Sequence, residues 1–184
     1  MKDDNYWKKA YQNTWDQSSS REVWLKKYIE QETGLKLEPC GLGAESTEFI
    51  TGSANQNEFE KGAADYHVVN TNIYIEVTGS FSKKTKAGDP IWFRPDKLQN
   101  AHKHLEDHDT FLANNFKYAN EWYVIHYTKE CEQYFVNENK NGTDCLIINP
   151  IIRGNKEKYI EIKSNNPYVK GLDSLIEYLK NINK

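Results

Sequence analysis

Cysteine is scarce in this chain. Cys40, Cys131 and Cys145 are the only three in 184 residues. An odd number with no CxxC spacing excludes a thiol-rich zinc site and a disulfide framework, and it fits reduced thiols. Long apolar runs are also missing. Nothing approaches the roughly 18 consecutive apolar residues of a membrane span. No apolar segment follows Met1, as a secretory signal requires. These absences set the expected location as cytoplasmic, with no membrane partner. An excess of positive charge is lacking too. Lys and Arg number 24 against 27 Asp and Glu, a net charge of −3, so any attraction to nucleic acid has to be local. The glycine-rich turn Gly41-Leu42-Gly43-Ala44-Glu45-Ser46 is not a phosphate-binding loop, because GxxxxGK[ST] is absent. No repeat and no long linker divides the chain. Residues 1–184 read as a single domain, with 1–20 as an N-terminal helical extension whose Trp7, Tyr11 and Trp15 recur at i, i+4 and i+8.

What is present is concentrated between Lys61 and Ser80. Two runs rich in β-branched and aromatic residues flank Asn70-Thr71-Asn72, which predicts a hairpin. With a two-residue or four-residue loop, Val69 faces Asn72, and counting outward sets Asp65 opposite Glu76. A three-residue loop separates the two acids. The first register puts Tyr66, Val68, Ile73, Ile75 and Val77 on one apolar face. The other face carries Asp65, His67, Tyr74, Glu76 and Thr78. Two carboxylates about 5 Å apart repel unless a positive charge lies between them. Hard oxygen ligands at that spacing suit Mg²⁺ or Mn²⁺. The competing reading is a solvated sheet edge.

Helices are predicted from Arg21 to about Thr33, with Val23, Trp24, Tyr28 and Ile29 near one side, and from Pro95 at the first helical position to about Asp107. A last helix opens at Asn166-Pro167 and carries the stripe Leu172, Leu175, Ile176 and Leu179. Further strands are predicted at Phe49–Gly52, Ile91–Arg94, Glu121–Thr128, Gln133–Val136, Cys145–Asn149 and Tyr159–Lys163. The most basic segment, Phe81 to Pro90, carries Lys83, Lys84 and Lys86 and follows the hairpin directly. The sum is an α/β domain with a mixed central sheet flanked by helices.

An acid at strand entry, then a turn, then hydrophobic-Glu-hydrophobic-x resembles the PD-(D/E)xK nuclease superfamily over about residues 22–105. Asp65 matches its Asp and Glu76 its second acid. The Pro before the Asp is Ala64 here, and the Lys two positions after the second acid is Thr78. The resemblance implies a restriction-endonuclease-like fold and a metal-dependent phosphodiesterase acting on DNA. It implies Mg²⁺ or Mn²⁺ held by Asp65, Glu76, the Val77 carbonyl and Glu45, with Glu48 as an alternative to Glu45. An extra acid from the helix before the first strand is expected, with Glu30 best placed by order. Lys83, Lys84 or Lys97 would replace the missing Lys. The alternative is a nuclease fold without chemistry that binds nucleic acid or a partner protein, such as an inhibitor of a host nuclease. Oligomeric state stays open, a homodimer included.

Overall fold

A computed structural model describes residues 20–40, 63–152 and 154–182. The expected strand at Phe49–Gly52, Glu45 and Glu48, and the expected N-terminal extension up to residue 19 lie outside those residues.

The centre is a six-stranded mixed sheet. Its strands are β1 (Leu37–Pro39), β2 (Tyr66–Val68), β3 (Ile73–Ser80), β5 (Asp109–Phe116), β6 (Glu121–Tyr127) and β11 (Val169–Gly171), in the spatial order β1-β2-β3-β5-β6-β11. β3 and β5 run parallel, with Ile73 beside Asp109 and Ser80 beside Phe116. The other pairings are antiparallel. A three-stranded sheet joins β4 (Ile91–Phe93), β10 (Tyr159–Ile162) and β7 (Leu146–Ile148), and β8 (Ile151–Ile152) pairs with β9 (Asn155–Lys156). Among the described residues the helices are α1 (20–33), α2 (Pro95–Lys103), α3 (Lys129–Asn141) and α4 (Leu172–Ile182). The mixed α/β sheet with flanking helices is the architecture expected from the sequence.

Two apolar cores cover the two faces of the large sheet. In the first, Leu25 and Ile29 of α1 and Leu175, Ile176 and Leu179 of α4 meet Tyr66, Val68, Ile73, Ile75 and Val77. In the second, Leu98 and Ala101 of α2, Cys131 and Phe135 of α3, and Ile91 and Phe93 of β4 meet Leu112, Phe116 and Ile125. β5 feeds both, with Phe111 and Ala113 on one side and Leu112 and Phe116 on the other. A strand buried on both faces is what a parallel neighbour under helices produces.

Several sequence expectations give way here. β5 lies in a stretch for which the sequence pattern predicts no strand. Gln133–Val136 is not a strand but the middle of α3. Thr128 caps that helix by accepting from Cys131 N at 3.2 Å, and Gly142 ends it in the left-handed region at φ 67°. Trp24 does not face the core. It is 47% exposed, and Leu25 takes the inward position. α2 stops at Lys103, short of Asp107, and α4 begins only after β11. The strand around Cys145–Asn149 narrows to Leu146–Ile148, with Ile147 exposed.

Candidate active site

The hairpin builds the site from its register. Tyr66 faces Ile75 and His67 faces Tyr74, so the next pair outward is Asp65 and Glu76. The apolar side chains of the hairpin enter the first core, which leaves both acids on the face toward α2. They are nonetheless buried, Asp65 at 7% exposed and Glu76 at 3%. Asp65 N donates to the Ile75 carbonyl at 3.1 Å. Asp65 Oδ2 accepts from Val77 N at 2.7 Å. β2 ends before Val77, and the carboxylate takes the place of the missing ladder acceptor. In an extended strand the N–H and C=O of one residue point to the same neighbour, so the Val77 carbonyl is directed to Asp65's side as well.

Lys97 reaches these acids from the first turn of α2. Its Nζ lies 2.8 Å from Glu76 Oε2 and 3.3 Å from the Ala63 carbonyl. Pro95 sets the start of the helix, and Leu98 and Ala101 fix it to the second core. Thr78, at the motif's Lys position, leaves the strand uncharged, and the buried cation comes from the helix instead. Lys83 and Lys84 stand elsewhere. Both are exposed, and Lys83 Nζ lies over the Tyr118 ring at 5.7 Å.

Of Glu22 and Glu30 on α1, it is Glu22 that lies beside the acid pair. Glu22 is 5% exposed and close enough to Glu76 to raise its pKa. Glu30 faces elsewhere, its Oε1 accepting from Leu37 N at 3.0 Å. The signal was in the helix period. Leu25 and Ile29 define the buried stripe, and one step back along i−3 lands on Glu22. Next to it, Arg21 is 8% exposed, with Nε and Nη1 buried and without a hydrogen-bond partner. Glu22, Asp65 and Glu76 all act on its guanidinium.

Electrostatics describe a crowded, buried cluster. Burial raises the pKa of Glu76 most. Neighbouring Asp65 raises it further, and Lys97 pulls it down without cancelling the rise. Asp65 is raised by burial too, offset by Lys97, the Val77 N–H and Arg21. Burial thus pushes both acids toward their protonated forms, Glu76 the more strongly because Asp65 adds to it. Lys97 stays charged. Burial disfavours its ammonium, but Glu76 and Asp65 outweigh that and hold its pKa above the ordinary value.

The backbone course is similar to those of known nucleases. One is the Holliday junction resolvase Hjc of Archaeoglobus fulgidus, with a TM-score of 0.44 and 12% identity over 88% of this chain and 96% of that one. Another is a nuclease from a fusselovirus, with a TM-score of 0.42 and 15% identity over 89% and 86% of the two chains. The sequence matches no protein-family model and no curated protein.

The donor set fits a hard divalent cation. Three buried carboxylates, those of Asp65, Glu76 and Glu22, face two buried cations, Lys97 and Arg21. Two buried carboxyls side by side offer paired oxygens to a cation. Among the described residues no group of three His, Cys, Asp or Glu side chains converges at ligand distance. The oxygens this geometry brings together are those of Asp65 and Glu76, with the Val77 carbonyl directed to the same side, a hard donor type of the kind Mg²⁺ takes. Glu45, expected among the ligands, lies outside the described residues.

Proposed function

We propose that this chain is a metal-dependent phosphodiesterase acting on DNA. The observation that carries the reading is the contact of Lys97 Nζ with Glu76 Oε2 at 2.8 Å, beside the paired Asp65. It supplies a buried ammonium where the strand motif has only Thr78.

Asp65 and Glu76, with the Val77 carbonyl, are the residues to hold Mg²⁺ or Mn²⁺. When bound, such an ion lowers the pKa of a coordinated water and neutralises charge on the scissile phosphate. The chain supplies the rest. The Val77 N–H fixes the Asp65 carboxylate in one orientation. Burial and Asp65 favour the protonated form of Glu76, and a bound cation would favour its carboxylate, so loading would be easier as pH rises. Lys97 orients the attacking water and stabilises negative charge as it develops on the phosphate. Arg21 brings two nitrogens without a hydrogen-bond partner to the same cluster, suited to phosphate oxygens.

A second reading is a nuclease-fold protein that binds nucleic acid or a partner protein without cutting. The same ion pair favours it, because a Glu76 oxygen held by Lys97 is withdrawn from ligation. Incubating the purified chain with single- and double-stranded DNA and RNA, in Mg²⁺ and in Mn²⁺, separates the two. Cleavage abolished by Asp65→Asn supports the enzyme, and inertness on every substrate with both metals refutes it.

A further inference from the structure

Beyond Glu76, β3 runs four more residues to Ser80, about 13 Å at ~3.3 Å per residue. Positive charge and aromatic rings gather at that end. Lys117 N donates to the Ser80 carbonyl at 3.1 Å, which ties the β5–β6 turn to the end of β3. The Arg21 guanidinium lies 4.8 Å from the centroid of the Phe81 ring, and Lys117 Nζ lies 5.3 Å from the same centroid. One step outward, Lys83 Nζ stands over Tyr118, whose ring is on the turn and 54% exposed. Lys84 follows, also exposed. Lys83 and Lys117 lie over ring faces, which carry no formal negative charge.

A sequence-tolerant site for single strands needs two components. One is a line of cations that tracks phosphates, and the other is an exposed ring on which a base stacks. A duplex satisfies the first but keeps its base faces inside its own stack. The ridge offers both, and Arg21 links it to the acid pair, because the same guanidinium that touches Phe81 lies within the field of Asp65 and Glu76.

We infer that this ridge is the track of a single-stranded polynucleotide leading to the acid pair. A base stacks on Tyr118, and phosphates lie on Lys83, Lys84 and Lys117. The inference rests on the proposed phosphodiesterase site and adds the form of its substrate. The ridge engages base faces and phosphates, which DNA and RNA single strands have in common.

The test is fluorescence anisotropy with the full chain in chelator, where no cleavage occurs. The probes are labelled oligo-dT, oligo-rU and a DNA duplex of the same length. Both single strands should bind more tightly than the duplex. Tyr118→Ala should weaken single-strand binding by about tenfold, the range expected for one lost base stack, and should leave duplex binding unchanged. Tyr118→Phe should restore it. Lys117→Ala should lower the salt dependence of single-strand binding by about 0.7 in log–log slope, as one lost phosphate contact does. Tyr118 is exposed, so none of these changes threatens folding. Equal affinity for duplex and single strand overturns the inference, as does a Tyr118→Ala variant that binds single strands like wild type. The two proposals fail separately. Ridge-dependent binding without cleavage in any metal refutes the enzyme and keeps the track. Cleavage without single-strand preference does the reverse.

Discussion

Replacing Lys97 with Met keeps most of the side chain's volume and removes its charge. What happens next depends on Glu76, left buried beside Asp65. At 2.8 Å the attraction amounts to about 6 kcal/mol at an effective dielectric near 20. Much of that is offset by the cost of burying the ammonium, several kcal/mol. Glu76 has an escape, which is to take up a proton. For an ordinary glutamate that costs about 3.4 kcal/mol at pH 7. Because burial and Asp65 already raise the pKa of Glu76, the real cost is smaller. Lys97→Met should therefore destabilise the metal-free protein by no more than about 3 kcal/mol at pH 7, and by clearly less at pH 5. Urea unfolding in chelator at the two pH values measures this. In Mn²⁺, the same variant should bind the ion at least as well as wild type by calorimetry, since Glu76 loses its competing partner. It should nevertheless cleave about 10²-fold more slowly, the loss expected for one catalytic electrostatic group. A destabilisation as large at pH 5 as at pH 7 refutes the electrostatic account. Unimpaired cleavage refutes the role assigned to Lys97.

Asp65→Asn keeps an acceptor for the Val77 N–H and removes the repulsion with Glu76; metal-free thermal stability should hold or rise, while stabilisation by Mn²⁺ disappears. In wild type, a Glu76 pKa raised by folding means that its contribution to stability is fully present below the unfolded value of 4.5 and is lost as pH rises through the folded one. Denaturation in chelator should therefore show stability falling above about pH 4.5, and Glu76→Gln should flatten that fall. Glu22→Gln should slow cleavage, whereas Glu30→Gln, at a residue that accepts from Leu37 N, should cost only about 1 kcal/mol of stability with activity intact; the reverse pattern would falsify the assignment of the helix acid. Gly79→Ala should disrupt the β3–β5 pairing, because the backbone has φ +152° and a Cβ would come within 2.0 Å of the Asn115 carbonyl oxygen; a loss above about 3 kcal/mol, or insoluble protein, is expected.

The hairpin was legible because its two signals agree. Alternation assigns a face to each residue, and a tight turn fixes the register. β5 was not legible, for a physical reason. A strand buried on both sides shows no alternation, and Ala113-Asn114-Asn115 has the composition of a loop. Only the tertiary structure shows what the amides do: Asn114 Nδ2 donates to the Trp92 carbonyl at 3.2 Å and Asn115 Nδ2 to the Glu121 carbonyl at 3.1 Å. α3 was misread in the opposite direction. Tyr134-Phe135-Val136 has local β propensity, but the cap at Thr128 and the i, i+4 pair Cys131 and Phe135 decide the outcome. At the site, Lys97 was among the candidates by order along the chain, but its contact with Glu76 spans 21 residues and follows from how α2 packs. Order along the chain points to Glu30, whereas the buried stripe through Leu25 and Ile29 points to Glu22.

The origin of the cation bears on how the site is controlled. A lysine at position 78 would be tied to β3, the strand that carries Glu76, and its placement would follow from that strand alone. Lys97 depends on a second element. α2 is held by Leu98 and Ala101 in a core that also contains Phe135 of α3 and Ile91 and Phe93 of β4. Charge balance among Asp65, Glu76 and Glu22 is therefore coupled to packing on the far side of the sheet from α1, which supplies Arg21 and Glu22. The acid pair sits where two cores meet, with one helix from each delivering a cation. A shift of either helix relative to the sheet unbalances the buried charge before it disturbs the hairpin, whose register rests on its own turn and on the first core.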